Sequence, residues 1–92
     1  MSEFDELLLI VEKLRVECPW DKEQTHESLA KHLIEESYEL LDAISKLDAT
    51  QESFDELKGE LGDVLLQIFL HSKIADEKEF FNMSDVMTSL RQ

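Results

Sequence analysis

Glu36, Glu39, Glu60 and Asp63 form an E-x-x-E pair and an E-x-x-D pair on two stretches that both read as helix. Residues three apart share a helix surface, so each pair projects its carboxylates together. In an antiparallel hairpin, positions equidistant from the turn lie side by side. Glu36 with Asp63 and Glu39 with Glu60 each sum to 99, which puts the hairpin centre between Ala49 and Thr50. The two acidic rows are therefore expected to meet at one height. At about 100° per residue, Glu36 falls amid Leu29, Leu33, Leu40, Ala43 and Leu47, an acid on a face that should be apolar. Glu60 sits beside Leu57 and Val64 at the margin of its own stripe.

Half-buried carboxylates without partners are costly or shift their pKa upward. No Lys or Arg stands four residues from Glu36, where His32 and Leu40 lie, and Lys58 and Lys73 are expected to point elsewhere. A hard divalent cation resolves the clash. Oxygen-only ligands select Mg²⁺, with Mn²⁺ as a substitute, and Mg²⁺ takes few carboxylates while sharing its other positions with water and phosphate. Zn²⁺ is disfavoured because no Cys/His set has suitable spacing, and no EF-hand loop is present. The competing reading is a solvated acidic face, which E-x-x-E alone, a weak signal, would favour.

Four helices are expected to position these acids, giving an all-α class built on an antiparallel hairpin with flanking helices. The first spans Glu3 to Arg15, with Phe4, Leu7, Leu8, Val11 and Leu14 on one stripe. A polar, Pro-bearing connection, Glu17 to Gln24, leads to a second helix capped by Thr25 and reaching Lys46. After a turn at Asp48–Gln51, Ser53 and Glu56 read as a capping box for a third helix ending near Glu77, and Ser84 reads as the cap of a short fourth. Phe80 and Phe81 are expected to pack the last helix. Along the third helix, Leu57, Val64, Ile68 and Ala75 lie on one side and Leu66, Leu70 and Ile74 on another. A helix apolar on several sides is buried on several sides. Two coverings are open: a homodimer or higher homo-oligomer forming a bundle, or the first and last helices of the same chain.

Ninety-two residues are read as a single domain, 1–92, whose own core is thin. Twenty-two acids against nine bases give a net charge of −13, which disfavours nucleic acid and anionic membranes as partners. A phosphorylated substrate would need bound metal to invert the local sign. One cysteine, Cys18, cannot form an internal disulfide, which fits a reducing cytoplasm. The acidic amphipathic start lacks the basic region of a signal peptide, and its apolar run, Leu7–Val11, is too short to span a membrane.

The segments CPWDKEQTHESL, LIEESYELLDAI and ELKGELGDVLLQIFLHSKIA, in that order, resemble the MazG family of nucleoside triphosphate pyrophosphohydrolases. The likeness runs from about Leu7 to Leu90. E-x-x-E followed by E-x-x-D belongs to the wider all-α pyrophosphohydrolase superfamily, while C-P-W-D and E-L-G-D-x-L-x-Q point to MazG within it. The resemblance implies a helical dimer or larger assembly, Mg²⁺ dependence, and hydrolysis of a (deoxy)nucleoside triphosphate to the monophosphate and pyrophosphate. It implies Glu36, Glu39, Glu60 and Asp63 as metal ligands. Glu35 precedes the first motif and has two readings, a catalytic group orienting the attacking water or a solvent-facing acid. Family members continue past the last helix with a basic stretch and a His-Pro segment, whereas this sequence stops at Leu-Arg-Gln. Triphosphate contacts from that stretch would then come from a partner subunit or from more chain, or activity would be weak.

Hydrolysis at the α-phosphorus needs charge neutralisation, an oriented water and a departing pyrophosphate, all of which metal ions supply. With only Gly59 and Gly62, no glycine-rich phosphate cradle can form. Trp20 either stacks on a base or plugs the bundle end, the commoner role for a lone aromatic. Lys22 is either solvated or a phosphate contact. His26 and His71 are read as packing or surface residues without a catalytic role, and Cys18 as structural. Two non-catalytic alternatives stand beside the enzyme: an acidic helical interaction module, and a pseudoenzyme that binds metal and nucleotide without turnover.

Overall fold

The computed structural model describes all 92 residues and is built from helices alone. These are α1 (Glu3–Glu17), α2 (Pro19–Lys22), α3 (His26–Ser45), α4 (Gln51–Glu77) and α5 (Met83–Arg91). Each long helix starts where a short polar side chain can take up a free backbone N–H. Ser2 accepts from the Asp5 amide at 3.1 Å, and Thr25 accepts from the Ser28 amide at 3.1 Å. The expected caps of α4 and α5 are displaced. Thr50, not Ser53, caps α4, because the Asp48 carboxylate takes the Thr50 amide at 2.9 Å and holds Thr50 in the extended cap conformation. Ser53 instead lies within the first turn, its hydroxyl donating to the Thr50 carbonyl at 3.0 Å. Asn82, not Ser84, caps α5, exchanging hydrogen bonds with Asp85 in a capping box. The Pro-bearing connection holds one helical turn, α2, with Pro19 at a position where a missing N–H costs nothing.

α3 and α4 form the antiparallel hairpin, and α1 and α5 lie against α4. The core therefore sits at the end of the hairpin away from its turn. Val11, Leu29, Phe69, Leu70 and Ile74 are buried there, with Phe4, Leu7, Leu8, Leu66 and Met83 packed around them. Towards the turn, α3 and α4 cover only each other. Ile34, Tyr38, Leu41 and Ile44 of α3 and Phe54, Leu61, Leu65 and Ile68 of α4 are exposed. Burial differs within the side of α4 that carries Ile68 and Ala75. Ala75 is buried and Ile68 exposed, because coverage of α4 changes along its length as well as around it. Phe80, 81% exposed, does not pack the last helix, whereas Phe81 lines a hollow with Asp85, Val86 and Ser89 of α5 as expected. α4 ends in a reversal at Glu79 (φ 64°), which leaves the Phe80 ring on the outside of the link to α5.

One side chain organises the segment between α1 and α3. Arg15 Nη1 donates to the carbonyls of Asp21 at 2.6 Å, Lys22 at 3.1 Å and Gln24 at 2.8 Å. These lie at the end of α2 and just beyond it, where helical carbonyls run short of amide donors; the Asp21 carbonyl also accepts the Gln24 amide at 3.2 Å. The same guanidinium grips Glu77 at the end of α4 with Nε and Nη2, at 2.8 and 3.2 Å. Arg15 thus fixes α1, α2 and α4 together and sets where Trp20 stands. No helix is long and apolar enough to cross a membrane.

Candidate metal centre

Glu36 and Glu39 occupy successive turns of α3, and Glu60 and Asp63 successive turns of α4. The antiparallel packing brings one carboxylate oxygen of each within 4.8 Å of the others. The acids equidistant from the turn thus meet, as their spacing predicts. Glu36 and Glu60 are partly buried and Glu39 and Asp63 exposed, so the cluster lies at the hairpin seam with one side open. Leu29 and Ala43, on the Glu36 face, are fully buried.

The carboxylates of the cluster find little compensation within the chain. Oε2 of Glu36 and Oε2 of Glu60 are buried with no hydrogen-bond partner. Burial, and then the charges of Glu39 and Asp63, push the Glu36 carboxyl above its ordinary range. The Glu60 carboxyl is raised by the same causes in the same order. None of the ion pairs in the molecule involves any of the four: Lys58 pairs with Asp55, and Lys73 lies near Glu12 and Asp76. Four converging carboxylates with two stranded oxygens and no protein cation fit a hard divalent ion, which takes oxygen donors only.

The other predicted site residues are arranged differently. Glu35 stays outside the cluster with its side chain 57% exposed, its carboxylate 3.7 Å from His32 Nδ1. Trp20 is 47% exposed, so it does not plug the bundle end; its ring meets the His32 ring edge-on at 5.1 Å. His32 precedes Glu36 by one turn, which places Trp20 on the side of the cluster away from the hairpin turn. Lys22 is exposed and makes no ion pair. Its carbonyl, held by Arg15, ties its backbone down while leaving the ammonium free.

Sequence reading missed two features further along the seam of α3 and α4. His26 and His71 stack at 5.0 Å with Nδ1 to Nδ1 at 2.7 Å, which bolts the start of α3 to α4. Burial, then His26, lowers the His71 pKa. Gln67 is buried with its Oε1 unpartnered. The available signal was periodicity: Glu60, Gln67 and His71 recur at seven and four residues, one row of α4 turned towards α3.

Comparison with known proteins agrees with this geometry. A family model described as the MazG nucleotide pyrophosphohydrolase domain matches residues 24–92, which include all four acids. The nucleoside triphosphate pyrophosphohydrolase/pyrophosphatase MazG of Thermotoga maritima is 48% identical over 97% of the chain, which spans 34% of that relative. A nucleoside triphosphate pyrophosphohydrolase of Escherichia coli is 42% identical over 98% of the chain, again spanning 34% of the relative. A Mycobacterium tuberculosis protein of the same name is 45% identical over 88% of the chain, covering 24% of its own length. The chain thus spans about a third or less of the curated relatives it matches. With an all-α hairpin that brings E-x-x-E and E-x-x-D together, and a family match over most of its length, the chain belongs to the MazG nucleotide pyrophosphohydrolase domain family.

Proposed function

We propose that this chain is a Mg²⁺-dependent nucleoside triphosphate pyrophosphohydrolase domain, with Mn²⁺ as a substitute metal, acting on (deoxy)nucleoside triphosphates. The observation that carries the reading is the pair of buried, unpartnered oxygens on Glu36 and Glu60 inside a four-carboxylate cluster. Glu36, Glu39, Glu60 and Asp63 hold the cation. When bound, such a cation neutralises phosphate oxygens and lowers the pKa of a nucleophilic water. A chain of net charge −13 has no other evident means of attracting a polyanion to that place.

The remaining residues orient the reaction. Water attacks the α-phosphorus, the bond from it to the α,β-bridging oxygen breaks, and the products are the monophosphate and pyrophosphate, with no covalent enzyme intermediate. Glu35, solvent-accessible and one position before the first ligand, orients that water or takes its proton. The half-exposed Trp20 walls the nucleoside side, its edge contact with His32 holding the ring within one helical turn of Glu36. Lys22 supplies a mobile cation for the outer phosphates.

We further propose that the functional form is a homodimer or larger homo-oligomer, with no nucleic acid or membrane partner, and that residues 1–92 act as one domain. Only 11 of 92 residues are buried, and a row of large apolar side chains on both hairpin helices faces outward. The radius of gyration, 14.7 Å, exceeds the roughly 12 Å of a compact domain this long. A second hairpin packed on that face would make a bundle with its apolar residues inside. The lone Cys18 suits a reducing cytoplasm.

Product analysis tests the activity. A nucleotide panel incubated with the chain and Mg²⁺ yields monophosphate and pyrophosphate in equal amounts, and Glu36→Gln lowers the rate by more than about 100-fold. Diphosphate with inorganic phosphate would place the cleavage elsewhere. No turnover together with metal-dependent thermal stabilisation would make the chain a binding pseudoenzyme, and neither response would leave a non-catalytic interaction module.

A further inference from the structure

Gln67 is 6% exposed, and its Oε1 is shut away from solvent without a hydrogen-bond partner. A buried amide oxygen lacking a donor is destabilising, so the position calls for a donor that the folded chain does not supply. Its placement says where that donor would stand. Gln67 follows Asp63 by four residues and Glu60 by seven, which is about 40° and −20° around the helix. It therefore extends the metal-facing row of α4 by one turn. Side chains on a helix lean towards its N-terminus, which carries this amide over the turn that bears Asp63.

We propose that Gln67 is a positioning residue for the cation site, its amide oxygen accepting a hydrogen bond from a water that the cation retains. The inference rests on the metal-dependent reading above. Waters held by Mg²⁺ act as donors and need acceptors beyond the direct ligands, and such outer partners orient what the metal holds. The four carboxylates are the direct set; Gln67, one turn further along the same row of α4, carries a buried acceptor that nothing in the chain fills. A different occupant of this oxygen is His71, one turn further on, whose Nε2 is also unpartnered. In that arrangement the amide would serve the fold and not the cation.

Calorimetric titration of Mg²⁺ into the full chain without nucleotide, paired with thermal unfolding in chelator, separates the two. Gln67→Met keeps the length and removes the acceptor. It weakens Mg²⁺ binding about tenfold, while the metal-free melting temperature holds or rises because a stranded oxygen is gone. Gln67→Glu, which keeps an oxygen at the same reach, restores binding to at least the wild-type level. Gln67→Leu provides a second apolar replacement if Met packs badly, with the same expectation. Unchanged Mg²⁺ affinity in Gln67→Met or Gln67→Leu overturns the inference, and a lowered metal-free melting temperature alongside it assigns the oxygen to His71. Wild type that takes up no Mg²⁺ overturns the metal-dependent reading as well, whereas wild type that binds normally beside an unaffected Gln67→Met removes only the role of Gln67.

Discussion

Arg15 and Glu77, 62 residues apart, are joined by two hydrogen bonds of 2.8 and 3.2 Å, and the third nitrogen of the same guanidinium closes on three carbonyls of the α2 segment. One planar fork therefore ties the first helix to the end of the fourth and pins the turn bearing Trp20. The Arg15 side chain is only 14% exposed, so screening by water is limited.

Removing that fork takes the guanidinium from three carbonyls and a carboxylate, although the Asp21 carbonyl keeps the Gln24 amide and the Glu77 carboxylate can turn to water. Arg15→Ala is expected to cost about 2–3 kcal/mol in urea denaturation. Arg15→Lys recovers little of it, because an ammonium cannot reproduce the forked geometry. Trp20, the only tryptophan, reports the local effect: quenching of its fluorescence by acrylamide increases in both variants. Unchanged stability in Arg15→Lys would contradict the role given to the fork.

Acid and base behaviour of the cluster follows from the raised Glu36 carboxyl, whose causes are burial and then Glu39 and Asp63. A carboxyl whose folded pKa exceeds its unfolded value contributes its stability below the unfolded value, and loses it as the pH rises through the folded pKa. Metal-free wild type therefore falls behind Glu36→Gln as the pH climbs from 4.5 towards neutrality. Melting curves in chelator across that range show the gap widening with pH; a constant or shrinking gap would refute the assignment.

His71 has the opposite sign. Its pKa is lowered from 6.5 by burial and then by His26. The stability it contributes is complete above 6.5 and is lost as the pH falls through its folded pKa. The Nδ1 to Nδ1 contact needs at least one unprotonated ring nitrogen, so double protonation breaks it. NMR titration of the ring protons places the His71 midpoint below 6.5; a midpoint at or above that value would contradict the buried, stacked arrangement.

The hairpin and the meeting of its acids were legible because distance from a turn fixes height in an antiparallel pair, and Glu36 with Asp63 and Glu39 with Glu60 share one centre. The caps were misplaced because Ser53-x-x-Glu56 and Thr50-x-x-Ser53 are both valid signatures, and only the Asp48 carboxylate, two residues before Thr50, decides between them. Arg15 was invisible for a different reason: three of its acceptors are backbone carbonyls, which have no residue identity to read. The exposure of Ile68 beside buried Leu70 depends on which neighbours cover α4 at that height, information that helical periodicity does not contain.

Assembly has its own test. Leu41 is 59% and Leu61 52% exposed on the outward face of the hairpin. Exposed substitutions there change the fold of one chain by no more than about 0.5 kcal/mol, yet a charge at an apolar contact opposes self-association. Wild type is expected to sediment as a dimer or larger species, and Leu41→Glu with Leu61→Glu as a monomer. Wild type that sediments as a monomer would refute the proposed bundle.

The reversal at the end of α4 stores a small strain. The Phe80 amide reaches the Ala75 carbonyl and the Glu79 amide the Asp76 carbonyl, both at 3.0 Å, a helix ending that needs a left-handed residue at Glu79. Glycine adopts that conformation freely, so Glu79→Gly is expected to stabilise the chain by about 1 kcal/mol in chemical denaturation. A loss of stability would show that the Glu79 side chain contributes more than its backbone costs.

All of the chemistry depends on whether four converging carboxylates take up a divalent ion, and direct Mg²⁺ binding measures that. Calorimetry of Mg²⁺ into wild type should show saturable uptake that Glu36→Gln and Asp63→Asn each reduce by more than about 100-fold, with nucleotide strengthening it in wild type alone. Absence of uptake by wild type, with or without nucleotide, or equal uptake by all three proteins, would contradict the account.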